Sequence, residues 1–323
     1  MIRQNIINNK FVEIKPNDTE QVKMNKYQAY SVQAYSHKIT VYHDNAAALD
    51  PAITIYDFLA NALSKLTLQI GAGNEIYDLD LTAHLVRQLE LRKQLVYSID
   101  KTSGTGKIST IQLIIDFLSL DFIAPKDTIL FNTGNYDHLL TQIVAAPGTK
   151  ISNCTVTKTI VGITELFKTD VVLNKYIATD GTTQTMTPLN KKPIMRTPSF
   201  NSSNPNWELD IPNNVEISKI MMYVTDGGKI STGHIKNVII KNATQKLINV
   251  DSATLEAWNR ETLRDYNDSD FDGILVLNIA QGQYTEALKT TGLFVDSKLE
   301  VDVIKGAASE PILNIIYETV EKA

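Results

Sequence analysis

Two stretches decide how this chain is read: SKLTLQIGAGNEI, Ser64–Ile76, and SKIMMYVTDGGKI, Ser218–Ile230. Each runs as a strand, a Gly-rich turn and a return, about 154 residues apart. A helical segment follows each: LTAHLVRQLELRKQL from Leu81, then SATLEAWNRETL from Ser252. Each helix precedes an apolar strand, IQLIIDF or ILVLNIA, and each half closes on further strands, NCTVTKTIVG or ILNIIYETVE. Order of elements, not identity of letters, repeats. The expected class is all-β with a few helices, built as two tandem eight-stranded jelly-roll β-barrels, the natural way to bury one face of many antiparallel strands.

The strand signals have period two. Leu66, Leu68 and Ile70 alternate with Lys65, Thr67 and Gln69, and Leu299, Val301 and Val303 alternate with Lys298, Glu300 and Asp302. Such alternation marks a sheet with one wet face. Cys154, Val156 and Ile160 are expected to share an inner face, which makes Cys154 a small buried hydrophobe. Leu81, Leu85 and Leu89, continued by Val96, form one helical stripe; Leu255, Trp258 and Thr262 form another, with Asp251 or Ser252 as N-cap and Trp258 facing the core. The expected domains are an N-terminal extension 1–22, a first barrel 23–168 and a second barrel 169–323 carrying a long loop 179–214.

With 323 residues, two domains are expected. Apolar content of 43% suffices for packed cores. No apolar run approaches the roughly 20 residues that span a bilayer, and MIRQNIINNKFVEIK lacks a signal peptide's apolar stretch. One cysteine excludes an internal disulfide. Net charge of −5, with no long Lys/Arg run, argues against a nucleic-acid coat.

Catalytic signatures fail one by one. TSGTGK lacks the first Walker A glycine, where Lys101 stands, and Ile108 replaces Ser/Thr; a hairpin loop is the better reading. His37, His43, His84, His138 and His234 include no HExxH and no close pair, so no zinc site is expected. No catalytic residue is assigned and no enzymatic activity is expected. DSDFDG, from Asp268, begins like an EF-hand loop, but Ile279 occupies the position of its bidentate Glu. Two readings stand. One is a helix-to-strand turn whose aspartates cap backbone amides. The other is a non-EF site on Asp268, Asp270 and Asp272, with Ca²⁺ in a structural role only; no other cofactor is expected.

An acidic chain with no catalytic constellation and two tandem jelly-roll-like halves resembles the double jelly-roll major capsid proteins of tailless icosahedral phages with an internal membrane, an architecture shared with adenovirus hexon. The likeness runs from about Lys23 to Val320 and rests on SKLTLQI, SKIMMYV, the helix ending TLRDY, FDGILVLNIA and SKLEVDVI. It implies a structural coat protein, a homotrimer whose six barrels make a pseudo-hexagonal capsomer in an icosahedral shell. The implied partners are neighbouring capsomers, penton or minor capsid proteins and a membrane beneath the shell, with no sequence-specific nucleic-acid binding. The implied location is the virion, after synthesis in the host cytoplasm. Two other classes stay open: a carbohydrate-binding jelly-roll module, which an exposed aromatic platform would favour, and a β-sandwich hydrolase.

Overall fold

The structure, a computed structural model, describes residues 10–25, 31–70, 74–92, 94–117, 139–168, 171–172, 175–177, 182–185, 189–243, 245–261, 271–280, 287–292 and 295–322. Described residues up to Asn190 form one compact unit and Lys191–Lys322 the other.

The first unit runs β1 (Lys10–Ile14), β2 (Thr19–Lys23), β3 (Ser31–Asn45), α1 (Ile55–Ala62), β4 (Leu63–Ile70), β5 (Asn74–Tyr77), α2 (Leu81–Arg92), β6 (Val96–Ser98), β7 (Gly104–Asp116), β8 (Leu139–Ala145) and β9 (Cys154–Lys168). One sheet has the order β1-β9-β3-β7-β6 and the other β2-β8-β4-β5, all antiparallel. Between them are packed Ile39, Val41, Leu113 and Ile163 from the first sheet and Leu66, Leu68 and Ile143 from the second, all buried. Three two-to-three-residue strands follow, β10 (Val171–Val172), β11 (Lys175–Ile177) and β12 (Thr183–Thr185), in a sheet of their own.

The second unit runs β13 (Leu189–Arg196), β14 (Asn204–Asp210), β15 (Glu216–Asp226), β16 (Lys229–Ser231), β17 (Ile235–Asn242), β18 (Gln245–Asp251), α3 (Ser252–Glu261), β19 (Ile274–Asn278), β20 (Leu288–Lys289), β21 (Ser297–Val303) and β22 (Ile312–Lys322). Its sheets are β13-β22-β15, with β16, β19 and β20 paired to β15, and β14-β21-β17-β18. With β6, β16 and β20 set aside as additions, each unit has eight principal strands. In both, one sheet is ordered first, eighth, third, sixth, and the other second, seventh, fourth, fifth. That is the jelly-roll order, and it occurs twice.

The repeat therefore holds, but the two opening stretches are not each other's counterparts. SKLTLQI is β4, the fourth strand of its unit, whereas SKIMMYV is β15, the third. The counterpart of β15 is β3, and that of β4 is β17. The mismatch came from the TDGG turn, which closes the added strand β16 against β15 and imitates the turn after β4. The later pairs are true equivalents: β7 with β19 and β9 with β22, with α2 and α3 each entering before the sixth strand.

Other expectations shift for identifiable reasons. β1 and all but the last residue of β2 lie in 1–22 and belong to the first unit's sheets, so that segment is more than an extension. Likewise 179–214 is not one loop, since it carries β13 and β14. In β9, Cys154 and Val156 are buried, but so are Thr159, Val161 and Ile163, while Ile160 turns outward. Pairing with β3 slips between Lys158 and Val156, a bulge that reverses the alternation. Val96 lies in strand β6, past the end of α2. Trp258 is 57% exposed; Leu255 is the residue α3 buries. Asp251 does cap α3, its carboxylate accepting from Thr254 N at 2.9 Å.

The two larger sheets differ on their outer sides. Lys219, Met221, Tyr223, Ile316 and Glu318 face away from the second unit's core yet are fully buried, with Lys219 opposite Glu318 in register. The unbroken runs IMMYV and LNIIY reflect strands covered on both faces. The equivalent face of the first unit exposes Phe11 (71%), Ile108 (51%) and Val96 (48%).

Helix α2 closes the first unit's edge. β6 pairs with Thr110–Gln112 of β7 and then stops. Beyond it the Gln88 side chain takes over: Nε2 donates to Gln112 O at 3.1 Å, and Oε1 accepts from Ile114 N at 2.8 Å. Arg87 Nη2 donates to Asp116 O at 3.0 Å, and Arg92 binds the Asp116 carboxylate. A side-chain amide thus replaces a strand and blunts the edge.

Candidate functional site

The acidic turn is the first candidate. Asp268 and Asp270 lie outside the described residues. Asp272 accepts from Arg260 Nη2 at 3.1 Å, both side chains half exposed. Gly273 follows at φ +81°, where a Cβ would lie 3.2 Å from Ile230 and Thr232 side-chain carbons, and β19 begins at the next residue. A shallow 260 Å³ cavity beside it is lined by Glu256, Asn259, Arg260, Phe271 and Asp272. Among the described residues no group of three His, Cys, Asp or Glu side chains could hold a metal.

TSGTGK leads into strand β7, not a helix. Gly106 N donates to Asp44 Oδ1 at 2.7 Å, and Lys107 Nζ donates to Thr102 Oγ1 at 2.8 Å, so the loop's amide and ammonium bond within the protein. The loop borders a 710 Å³ open cavity lined also by Asn45, Thr149, Asn153 and Cys154.

At that cavity's floor the fold brings together what sequence reading kept apart. Cys154 Sγ lies 3.8 Å from His43 Nδ1, and Asn61 Nδ2 donates to the sulfur at 3.6 Å. The geometry is that of a scaffold. Asn45 Nδ2 donates to Asp100 O and Thr102 O, which fixes Asn45 Oδ1 as the acceptor facing His43 Nδ1 at 2.9 Å. Nδ1 therefore carries the proton, and Nε2 accepts from Ser109 Oγ at 2.9 Å. The ring nitrogen nearest the sulfur has no lone pair with which to take the thiol proton. Burial raises the thiol's pKa further, so it stays neutral and unreactive.

A second polar cluster left no mark on the sequence. Tyr35 and His37 point inward from β3, and His84 and Arg87 point inward from α2, all buried. His84 Nε2 lies 3.0 Å from Leu66 O on β4. Burial pushes the imidazolium of His37 down to about 4; burial, then the Arg87 guanidinium, pushes that of His84 to about 3. Both rings are neutral at neutral pH.

No protein-family model matches the chain, and no curated protein matches its sequence. Solved structures do. The STIV major capsid protein (MCP) crystal structure matches with TM-score 0.68 and 12% identity over 98% of this chain and 97% of that one. The atomic structure of Sulfolobus Turreted Icosahedral Virus matches with TM-score 0.71 and 11% identity, over 98% and 91%. The major capsid protein P2 from Bacteriophage PM2 matches with TM-score 0.58 and 8% identity, over 97% and 98%. The chain shares with these proteins the double jelly-roll fold along its whole length.

Proposed function

We propose that this chain is the structural coat protein of an icosahedral virus and assembles as a homotrimer of six barrels, a pseudo-hexagonal unit of the shell. The observation that carries the reading is the tandem jelly roll in one chain, matching major capsid proteins end to end. The proposed role is structural, and two described polar sites are built as scaffold: the Cys154–His43 pair lacks a base, and the Lys107 loop spends its amide and ammonium within the protein. The exposed Phe11, Val96 and Ile108 are the surface that contacts between copies would cover, and neighbouring capsomers, minor shell proteins and an underlying membrane are the proposed wider partners. Light scattering on purified protein, with negative-stain microscopy for hexagonal particles, tests this. A stable monomer of 36.0 kDa at micromolar concentration would end the capsomer reading.

The acidic turn is proposed as a turn. A chelator at low ionic strength then leaves the melting temperature unmoved. A fall would instead assign a structural Ca²⁺ to Asp268, Asp270 and Asp272, stabilising by mass action. One observation favours a second reading, the carbohydrate-binding module: Trp258 is exposed, as a sugar-stacking residue must be. It stands on the far side of α3 from the 260 Å³ cavity, whose lining includes Glu256, Asn259 and Arg260 but not Trp258. Glycan-array binding lost on Trp258→Ala would favour that module.

A further inference from the structure

We propose that helix α2 is an acid-sensitive clasp: neutral His84 and His37, sealed in the first unit beside Arg87, hold it shut, and their protonation opens the first unit before the second.

The geometry makes α2 the only described helix bonded across both sheets of its unit through ionisable side chains. His84 donates to Leu66 O on β4, in one sheet, while Arg87 and Arg92 bind Asp116 on β7, in the other. His37 faces the same interior from β3, flanked in register by Leu113 of β7 and Ile163 of β9. The charged and titratable groups around the pair are few. Arg87 on α2 and Asp78 before it act on His84, as does His37 itself. Glu165 on β9 sits opposite Tyr35 and is already occupied by Asn25, whose backbone N and Nδ2 both donate to it. Asp116 on β7 is held by Arg92. Acidification therefore adds two positive charges beside a buried guanidinium, with the nearby carboxylates already engaged.

The direction follows from linkage. In the unfolded chain both imidazoles protonate as pH falls below about 6.5. In the folded unit burial resists protonation until about 4 and about 3. At these two rings the unfolded state therefore binds more protons across that window, and their contribution to the first unit's stability falls progressively as pH falls through it. The second unit has one histidine, His234, whose ring already bonds Ser231 Oγ and Ile304 O.

The chain carries its own reporters. Its only cysteine, Cys154, is buried in the first unit, and its only tryptophans, Trp207 and Trp258, are in the second. The test is a pH titration of the full chain. A pyridyl disulfide that reacts in acid labels Cys154, with rates normalised to urea-unfolded chain at the same pH, while tryptophan emission is followed in parallel. Labelling is expected to rise at higher pH than any change in emission. His84→Gln keeps a donor for Leu66 O and His37→Phe keeps the volume; the double variant should move the labelling midpoint down by about one pH unit or more. His43 adjoins Cys154, so an unmoved midpoint in the variant would overturn the assignment to α2. Simultaneous movement of both probes would overturn the order of opening. Should the variant not fold, the histidine ring protons of the wild-type chain decide by NMR: two rings titrating below about pH 5 support the clasp, and ordinary titration near 6.5 excludes it.

Discussion

At single positions the fold depends on a few fixed geometries. Gly148 has φ +78°, and a Cβ there would fall 2.8 Å from Val156 Cβ. Gly148→Ala is expected to cost about 1–3 kcal/mol through left-handed strain and overpacking. The readout is a lower urea midpoint with unchanged slope. Asp226, at the end of β15, accepts from Glu310 N at 2.9 Å and from Ser309 N and Oγ at 3.2 and 3.1 Å. The Glu310 amide, foremost, holds its carboxyl below the usual 3.8. Since the folded pKa is the lower one, this contribution is present above about 3.8 and vanishes as pH falls through the folded value. Asp226→Asn should therefore lower the melting temperature at pH 7, and the deficit should shrink as pH falls below about 3.8; a deficit that stays the same size throughout the acid range would show that the carboxylate charge is irrelevant.

Among elements, the edges decide. Gln88→Leu would strip Gln112 O and Ile114 N of the amide that covers them. A cost of about 1–3 kcal/mol is expected, with faster hydrogen exchange at Ile114; unchanged protection there would mean the edge needs no cover. Deleting 189–210 removes β13 and β14, the first two strands of the second barrel, so limited proteolysis should leave only a first-unit fragment. What sequence could reveal follows from the same physics. α2 is legible from its leucine spacing and α3 from the Asp251 cap. α1 carries a sequence signal of its own: Thr54 and Asp57 make a reciprocal capping box, each accepting from the other's backbone N–H. Strands β1, β2, β13 and β14 were not legible, because short strands rich in Lys, Glu, Gln and Asn show no clean alternation. The β9 bulge is set by its partner β3, so no window of β9 alone contains it. The His37, His84 and Arg87 cluster was invisible because one member is on a strand and two are on a helix, brought together only by the closed barrel.

For the whole molecule, the trimer reading predicts a scattering mass three times 36.0 kDa. Ile108→Ser with Val96→Ser should shift that mass toward monomer. The melting temperature of the isolated protomer should hardly move, since exposed positions contribute little to folding; an intact trimer in the double variant would place the contacts elsewhere. The jelly-roll order also governs how the chain is made. Among the described strands β1 finds its partner only in β9, pairing Lys10 with Ile163, and β3 takes β9 as one of its two neighbours. At about 5–20 residues per second of synthesis, roughly 7–30 s pass during which β1 has emerged and its partner does not exist. An unpaired strand carrying an exposed phenylalanine is a hazard over that interval. Ribosome-bound chains halted before Cys154 should therefore recruit chaperones or aggregate, whereas chains extended well past Lys168 should not.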